Sequence, residues 1–179
     1  RGITEAVIAR NKIVVSSAYF PQIEEEADAI VFPYFHKGEL VNRKYRGVTE
    51  KHFRLEPGCE RVLYGVDDIN AETPLYWCEG EIDKLSIEVA GFTAAVSVPN
   101  GAPSETSKNY ESLFSFLDSA HDKINLVKKH IIAVDADAPG ARLEDELSRR
   151  IGIEKCFRVR WPEGCKDAND VLRKFDAEA

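Results

Sequence analysis

The chain has 179 residues, of which 44% are hydrophobic and 31% are charged, a composition that is typical of globular proteins and argues against disorder. No apolar run approaches the roughly 20 residues of a membrane-spanning helix, so we expect no membrane association. The formal net charge of −7, taken alone, argues against binding to nucleic acid. The chain begins at Arg1 and contains no methionine, so we expect it to be a piece of a longer protein.

The region up to about residue 70 is predicted to form a small unit of mixed, mostly antiparallel structure. Thr4 can cap a short helix that runs to Arg10. Two strand-like segments follow, at residues 12 to 20 and 29 to 35, with an acidic stretch between them. The second strand is expected to turn back at His36 to Glu39, where Gly38 tolerates backbone conformations that other residues avoid.

The segment "NRKYRGVTEKHFR", residues 42 to 54, is strongly basic within this acidic chain. It has a net charge of +4, with two aromatic residues interleaved. Basic side chains beside flat rings suit a phosphate backbone and its bases. The alternative is a solvated hairpin edge that lysine and arginine protect from aggregation. The basic residues are Arg43, Lys44, Arg46, Lys51 and Arg54.

From residue 71 to 179 the pattern changes to alternating strands and helices. Strands are predicted at residues 74–80, 93–98, 130–134 and 155–161. Helices are indicated by apolar residues at helical spacing around residues 82–89, 110–117 and 143–151, and a last helix opens in "KDANDVLRKF". This alternation predicts an α/β domain with a parallel sheet flanked by helices.

Acidic side chains follow three of the predicted strands. Active sites in open parallel sheets form beyond the carboxyl ends of the strands, and clustered carboxylates suit Mg²⁺ or Mn²⁺ rather than zinc. Each acid, taken singly, is also favourable in the first turn of a helix. For Asp137, capping the following helix is as good an interpretation as binding a metal. The acids are Glu79 and Asp83, Asp135 and Asp137, and Asp167 and Asp170.

The four cysteines do not pair at zinc-ligand spacing, so free thiols are expected and no zinc site is predicted within the chain. They are Cys59, Cys78, Cys156 and Cys165.

Three motifs, "CEGEIDKLS", "VDADAPG" and "GCKDAND", resemble those of the TOPRIM domain of DnaG-type primases, topoisomerases and some nucleases. They are most similar to the version in phage-type primase-helicases and the organellar Twinkle family. The loop "SVPNGAP" and the upstream "FPYFHKGELVNRKYR" are similar to further parts of the same primases. The resemblance implies a TOPRIM domain at residues 71–179, preceded by a small basic subdomain at residues 1–70.

The resemblance also assigns roles to individual residues. It implies that Glu79, Asp135, Asp137 and Asp167 hold two or more Mg²⁺ or Mn²⁺ ions. Lys44 and Lys51 match lysines that contact nucleotide or primer and, with Glu79, Asp135 and Asp137, form the expected catalytic set. Asp83 and Asp170 are expected to support the metal ligands. Nucleotide or nucleic-acid binding is expected at Arg43, Lys44, Arg46, Lys51, Arg54 and Lys166.

The implied function is that of a DNA primase core, a nucleotidyltransferase that makes short RNA primers from ribonucleoside triphosphates on a single-stranded DNA template. The implied partners in the parent protein or system are a zinc-ribbon domain and a helicase domain. The implied location is the mitochondrial matrix or the chloroplast, with a phage-encoded protein in the host cytoplasm as the alternative. Nuclease or topoisomerase-type strand cleavage, and a non-catalytic single-stranded DNA-binding module, remain as other interpretations.

Overall fold

The computed structural model describes residues 1–175 and contains two four-stranded sheets. One sheet is antiparallel and lies in the N-terminal third of the chain, whereas the other is parallel and begins after residue 70. The predicted α/β class, with a mixed N-terminal unit, is therefore confirmed.

The antiparallel sheet follows a short helix, α1 (Glu5–Arg10), which Thr4 caps by accepting a hydrogen bond from the Val7 backbone N–H. Its strands lie in chain order, and the predicted turn falls at Lys37 and Gly38, both with positive φ. Most of the acidic stretch predicted to separate the first two strands is instead part of the second strand, where its carboxylates are exposed. The strands are β1 (Val14–Phe20), β2 (Glu25–His36), β3 (Glu39–Gly47) and β4 (Phe53–Leu55).

The parallel sheet does not follow chain order, because its first strand in the sequence lies in the interior, between the second and the third. The predicted strand–helix alternation is confirmed, although the strands are shorter than the apolar runs that predicted them. The strands are β5 (Leu75–Cys78), β6 (Ala95–Ser97), β7 (His130–Ile132) and β8 (Cys156–Arg158). The main helices of this region are α2 (Glu81–Val89), α5 (Ala138–Ile151) and α6 (Ala168–Phe175).

The region between β6 and β7 departs from the prediction of one amphipathic helix around residues 110–117. It forms a single turn, α3 (Tyr110–Leu113), then a 3₁₀ segment (Ser115–Ala120) and a short helix, α4 (His121–Leu126). The Ser115 and Ser119 hydroxyls donate hydrogen bonds to backbone carbonyls three residues earlier, a local alternative that competes with regular helix. Ile124 and Val127 of this region are buried in the main core.

One hydrophobic core spans the predicted boundary at residue 70. It contains Phe32 and Tyr34 from the antiparallel sheet together with Trp77 and Ile132 from the parallel sheet. The two sheets are therefore packed together, and the edge of the parallel sheet that carries the acidic motifs faces β3 and β4. None of the helices formed by residues 1–175 has both the length and the apolar character of a membrane span.

Candidate active site

Three carboxylates meet beyond the carboxyl ends of the parallel strands. Asp83 lies in the first turn of α2, Asp135 follows β7, and Asp167 immediately precedes α6. One carboxylate oxygen from each lies within 4.8 Å of the others. Like charges held this close are unfavourable unless protons or cations compensate them, so this acidic cluster (Asp83, Asp135 and Asp167) has the donor atoms and the charge of a divalent metal site.

The electrostatics of the acidic cluster follow from burial and crowding. Burial, followed by repulsion from Asp167 and Asp135, raises the pKa of Asp83 to about 7. Burial also raises the pKa of Asp135, although the Lys166 ammonium, 3.1 Å from its Oδ2, opposes this shift. The pKa of Lys166 is itself raised, mainly by the hydrogen bond to Asp135.

Glu79, directly after β5, adds a fourth carboxylate beside the cluster. Burial and the nearby Asp135 raise its pKa, and the backbone N–H of Ala102 donates a hydrogen bond that opposes the rise. Its Oε2 atom is buried and has no hydrogen-bond partner among the described residues. A buried, unpaired carboxylate oxygen beside three others fits a cation, so the residues present suit the divalent metal that the sequence predicts.

Two of the predicted acids make local backbone contacts. Asp137 is exposed and caps α5, with its Oδ1 accepting a hydrogen bond of 2.8 Å from the Gly140 backbone N–H. Asp170 uses its backbone N–H to donate to Asp167 Oδ1 at 2.7 Å, and its own carboxylate accepts from the Lys166 backbone N–H at 3.3 Å. Asp170 is therefore hydrogen-bonded to the loop that presents Asp167 and Lys166.

The opposite wall of the site is basic. Lys44, Arg46, Lys51 and Arg54, from β3, β4 and the loop between them, line the same cleft of about 570 Å³ as the acidic cluster. Arg43 does not line it, because its guanidinium is directed to Glu56 at 3.2 Å. The structure thus brings four of the five predicted basic residues of residues 42–54 opposite the acids.

Aromatic rings lie among these basic side chains. Phe53 lines the cleft and lies under both Lys44 and Arg46, whose charged groups are 5.3 and 5.8 Å from the ring centroid. Arg54 lies over Tyr45 at 5.3 Å. Cation–π contacts of this kind hold the basic groups over flat surfaces, which is the arrangement predicted for contact with nucleotides.

Sequence reasoning missed two residues that contact the site. Asn169 is buried in the motif "KDAN", where its backbone N–H donates to Asp83 Oδ1 at 3.1 Å and its side chain donates to the Arg1 carbonyl at 2.8 Å. Glu81, in the motif "CEGEID", accepts hydrogen bonds from Lys44 and Tyr34. Both lay inside quoted motifs, but no local pattern indicates their distant partners.

The raised pKa of Asp83 leads to a testable pH dependence. Because the folded-state pKa of about 7 exceeds the ordinary value of 3.8, the folded protein holds a proton more tightly than the unfolded chain. Without divalent cations, the contribution of this proton to stability is therefore expected to be fully present below about pH 4 and to be lost as pH rises to about 7, by a few kcal/mol. Urea denaturation in EDTA across this range measures the change. Asp83→Asn should flatten the dependence, and an equally steep fall in that variant would contradict the assignment.

Comparison with known proteins identifies related sequences. The profile of a family described as Toprim-like matches residues 76–172. The chain is 39% identical to the Twinkle homolog protein, chloroplastic/mitochondrial, of Arabidopsis thaliana over 96% of its own length and 25% of that protein. It is 38% identical to the Primase homolog protein of the same plant over 96% of its length and 52% of that protein. The chain therefore spans about a quarter and about half of these relatives.

A solved structure has the same fold. The crystal structure of the primase fragment of the bacteriophage T7 primase-helicase protein aligns with 98% of this chain and 67% of that chain, with a TM-score of 0.77 and 21% identity. At this identity the likeness concerns the fold, and it includes both the antiparallel and the parallel sheet.

Proposed function

Because the chain belongs to the Toprim-like family and has a primase-type core, we propose that it is the catalytic core of a DNA primase. In this proposal it joins ribonucleoside triphosphates into a short RNA primer on a single-stranded DNA template. The observation that carries the proposal is the pairing of an acidic cluster with a basic wall in one cleft of about 570 Å³. A metal-dependent reaction of polyanions needs both kinds of charge in one place.

The metal in this proposal is Mg²⁺ or Mn²⁺. Three of the predicted ligands lie where they could bind this ion, namely Glu79, Asp135 and Asp167. Asp83, predicted only to support the ligands, is proposed here as a further ligand. A metal-binding role for Asp137 is supported only by the resemblance to TOPRIM motifs. A bound divalent ion would neutralise charge on the reacting phosphate and on the departing pyrophosphate.

The chain's own residues would orient the substrates and balance their charge. In primer synthesis a 3′-hydroxyl attacks an α-phosphate, the new P–O bond forms, and the bond to the β-phosphate oxygen breaks to release pyrophosphate. Placing two nucleotides for this attack accounts for much of the rate gain. Lys51, Arg46 and Arg54 would attract the phosphates, while Phe53, which lines the cleft, offers a face for stacking a base. Lys166, at the acidic edge, would contact phosphate from the other side.

The test is to incubate the chain with a single-stranded template, labelled ribonucleotides, and Mg²⁺ or Mn²⁺. Short RNAs whose sequence follows the template, lost when EDTA is added, are the expected products. Cut DNA without RNA would indicate a nuclease, and retained DNA without product would indicate a binding module. Either result would overturn the proposal.

The wider setting is also a proposal. A zinc-ribbon domain for template selection and a helicase domain would act with this core in the parent protein or system. The name of one plant relative, chloroplastic/mitochondrial, supports an organellar location, and the phage alternative is compatible with the fold shared with the bacteriophage T7 fragment.

A further inference from the structure

Lys44 is held differently from the other basic residues of the cleft. It projects from β3 with only 11% of its side chain exposed, and its Nζ donates to Glu81 Oε1 at 2.7 Å and to the Pro99 carbonyl at 3.0 Å. In contrast, Lys51 is exposed at the cleft and has no ion-pair partner within residues 1–175. Lys44 is therefore already neutralised by a carboxylate, whereas Lys51 is a free cation.

Glu81 is fixed from a second side. The Tyr34 hydroxyl, fully buried on β2, donates to the same Oε1 atom at 2.6 Å. Glu81 itself is 4% exposed and opens α2, the helix whose first turn carries Asp83. A buried carboxylate that accepts two hydrogen bonds has little freedom to move, so the Lys44 ammonium is held at a set distance from the acidic cluster.

We propose that Glu81 and Tyr34 are positioning residues for Lys44. They hold its ammonium as half of a neutral pair, so Lys44 acts as a fixed N–H donor at the cleft wall. The net positive charge that attracts a nucleoside triphosphate comes instead from Lys51, Arg46 and Arg54. The inference rests on the proposed function for its catalytic part, but its binding part is tested without catalysis.

The binding test uses ATP with Mg²⁺ as the probe and measures its dissociation constant at fixed ionic strength. Lys44→Met leaves Glu81 as an uncompensated negative charge, so ATP should bind about ten-fold more weakly, the scale of one close like-charge contact. Lys44→Met combined with Glu81→Gln removes the pair without a net change in charge. This double variant should bind ATP within about two-fold of the parent, as expected when binding is governed by net charge.

Lys51→Met is the matched control. Since Lys51 has no carboxylate partner in the described part of the chain, its loss should weaken ATP binding. Adding Glu81→Gln to Lys51→Met should change the affinity by the same factor as Glu81→Gln does in the parent protein, because the two residues are not paired. If the Lys44→Met/Glu81→Gln variant binds ATP as weakly as Lys44→Met alone, Lys44 acts as a free phosphate-binding cation and the inference is wrong.

The catalytic test separates positioning from a purely structural role. Glu81→Gln should lower kcat about ten-fold, because the Lys44 donor is then slightly misplaced. It should not raise KM for ATP, since the Lys44 charge that it frees favours binding. Tyr34→Phe, which leaves the net charge unchanged, should lower kcat about three-fold with little change in KM. In a Lys44→Met background neither change should lower kcat further, since both act through Lys44. Full activity of Glu81→Gln, or additive losses in the Lys44→Met background, would overturn the inference. If the parent makes no primer, the proposed function fails, and the ATP measurements alone decide the inference.

Discussion

Asp135→Asn is expected to abolish nucleotide transfer, lowering the rate by at least about a thousand-fold. A divalent ion contributes several kcal/mol to neutralising phosphate charge, and about 4 kcal/mol corresponds to this factor. The metal-free protein should keep its thermal midpoint or gain a few degrees, because the substitution relieves repulsion with Asp167. The lost ion pair with Lys166, which is 59% exposed, contributes little. Primer assays and thermal unfolding in EDTA measure the two effects.

Asp137→Asn is the matched variant for this experiment. Asparagine caps a helix as well as aspartate does, so the hydrogen bond to Gly140 should survive and stability should change by less than about 0.5 kcal/mol. A large loss of activity in this variant would support the predicted metal role of Asp137. Product made at the parent rate by Asp135→Asn would instead remove Asp135 from the metal site.

Lys84→Met is expected to destabilise the fold by about 3–5 kcal/mol, the usual cost of leaving buried charges without their partner. Lys84 is fully buried in α2, and its Nζ contacts Glu88 and donates to Asp68 at 2.8 Å and Asn11 at 2.9 Å. Arg10 of α1 also bridges Asp68 and Glu88. The network fixes α2, and with it Glu81 and Asp83, against the N-terminal part of the chain.

Urea denaturation of Lys84→Met beside Lys51→Met tests this prediction. Lys51 is exposed, so its substitution should alter the free energy of unfolding by less than about 0.5 kcal/mol. If Lys84→Met were as stable as the control, the prediction would be wrong, and Arg10 alone would compensate the carboxylates of Asp68 and Glu88.

Much of the fold was predictable because its signals are local. The apolar runs at β5 and β7, and the helical spacing of Leu143 and Leu147 before Gly152, each arise within a few residues of one element. Alternation of such elements restricts the topology to a parallel sheet. The region around Phe114 was predicted wrongly as one helix, because serine side chains there satisfy backbone carbonyls locally and favour a 3₁₀ segment.

The candidate site was predictable as a set of residues but not as a set of contacts. Strand ends place Glu79, Asp135 and Asp167 at one edge of the sheet, and this follows from the sequence once the strands are recognised. Asp83 enters the acidic cluster because the first turn of α2 directs it there, and Asp137 instead caps α5. The position of each residue relative to the start of its helix decides between these outcomes, since Asp83 lies within the first turn of α2 whereas Asp137 is the N-cap residue of α5.

The sequence by itself therefore determined the elements, their order and the edge of the sheet where the acids gather, since these depend on periodicity and on the geometry of parallel strands. Only the tertiary structure decided which charges are free and which are paired. Lys44 and Glu81 are 37 residues apart, and Lys84 and Asn11 are 73 apart. Such pairs form because tertiary packing brings distant segments together and buries the lysine, and a buried charge must find an opposite charge or a hydrogen bond.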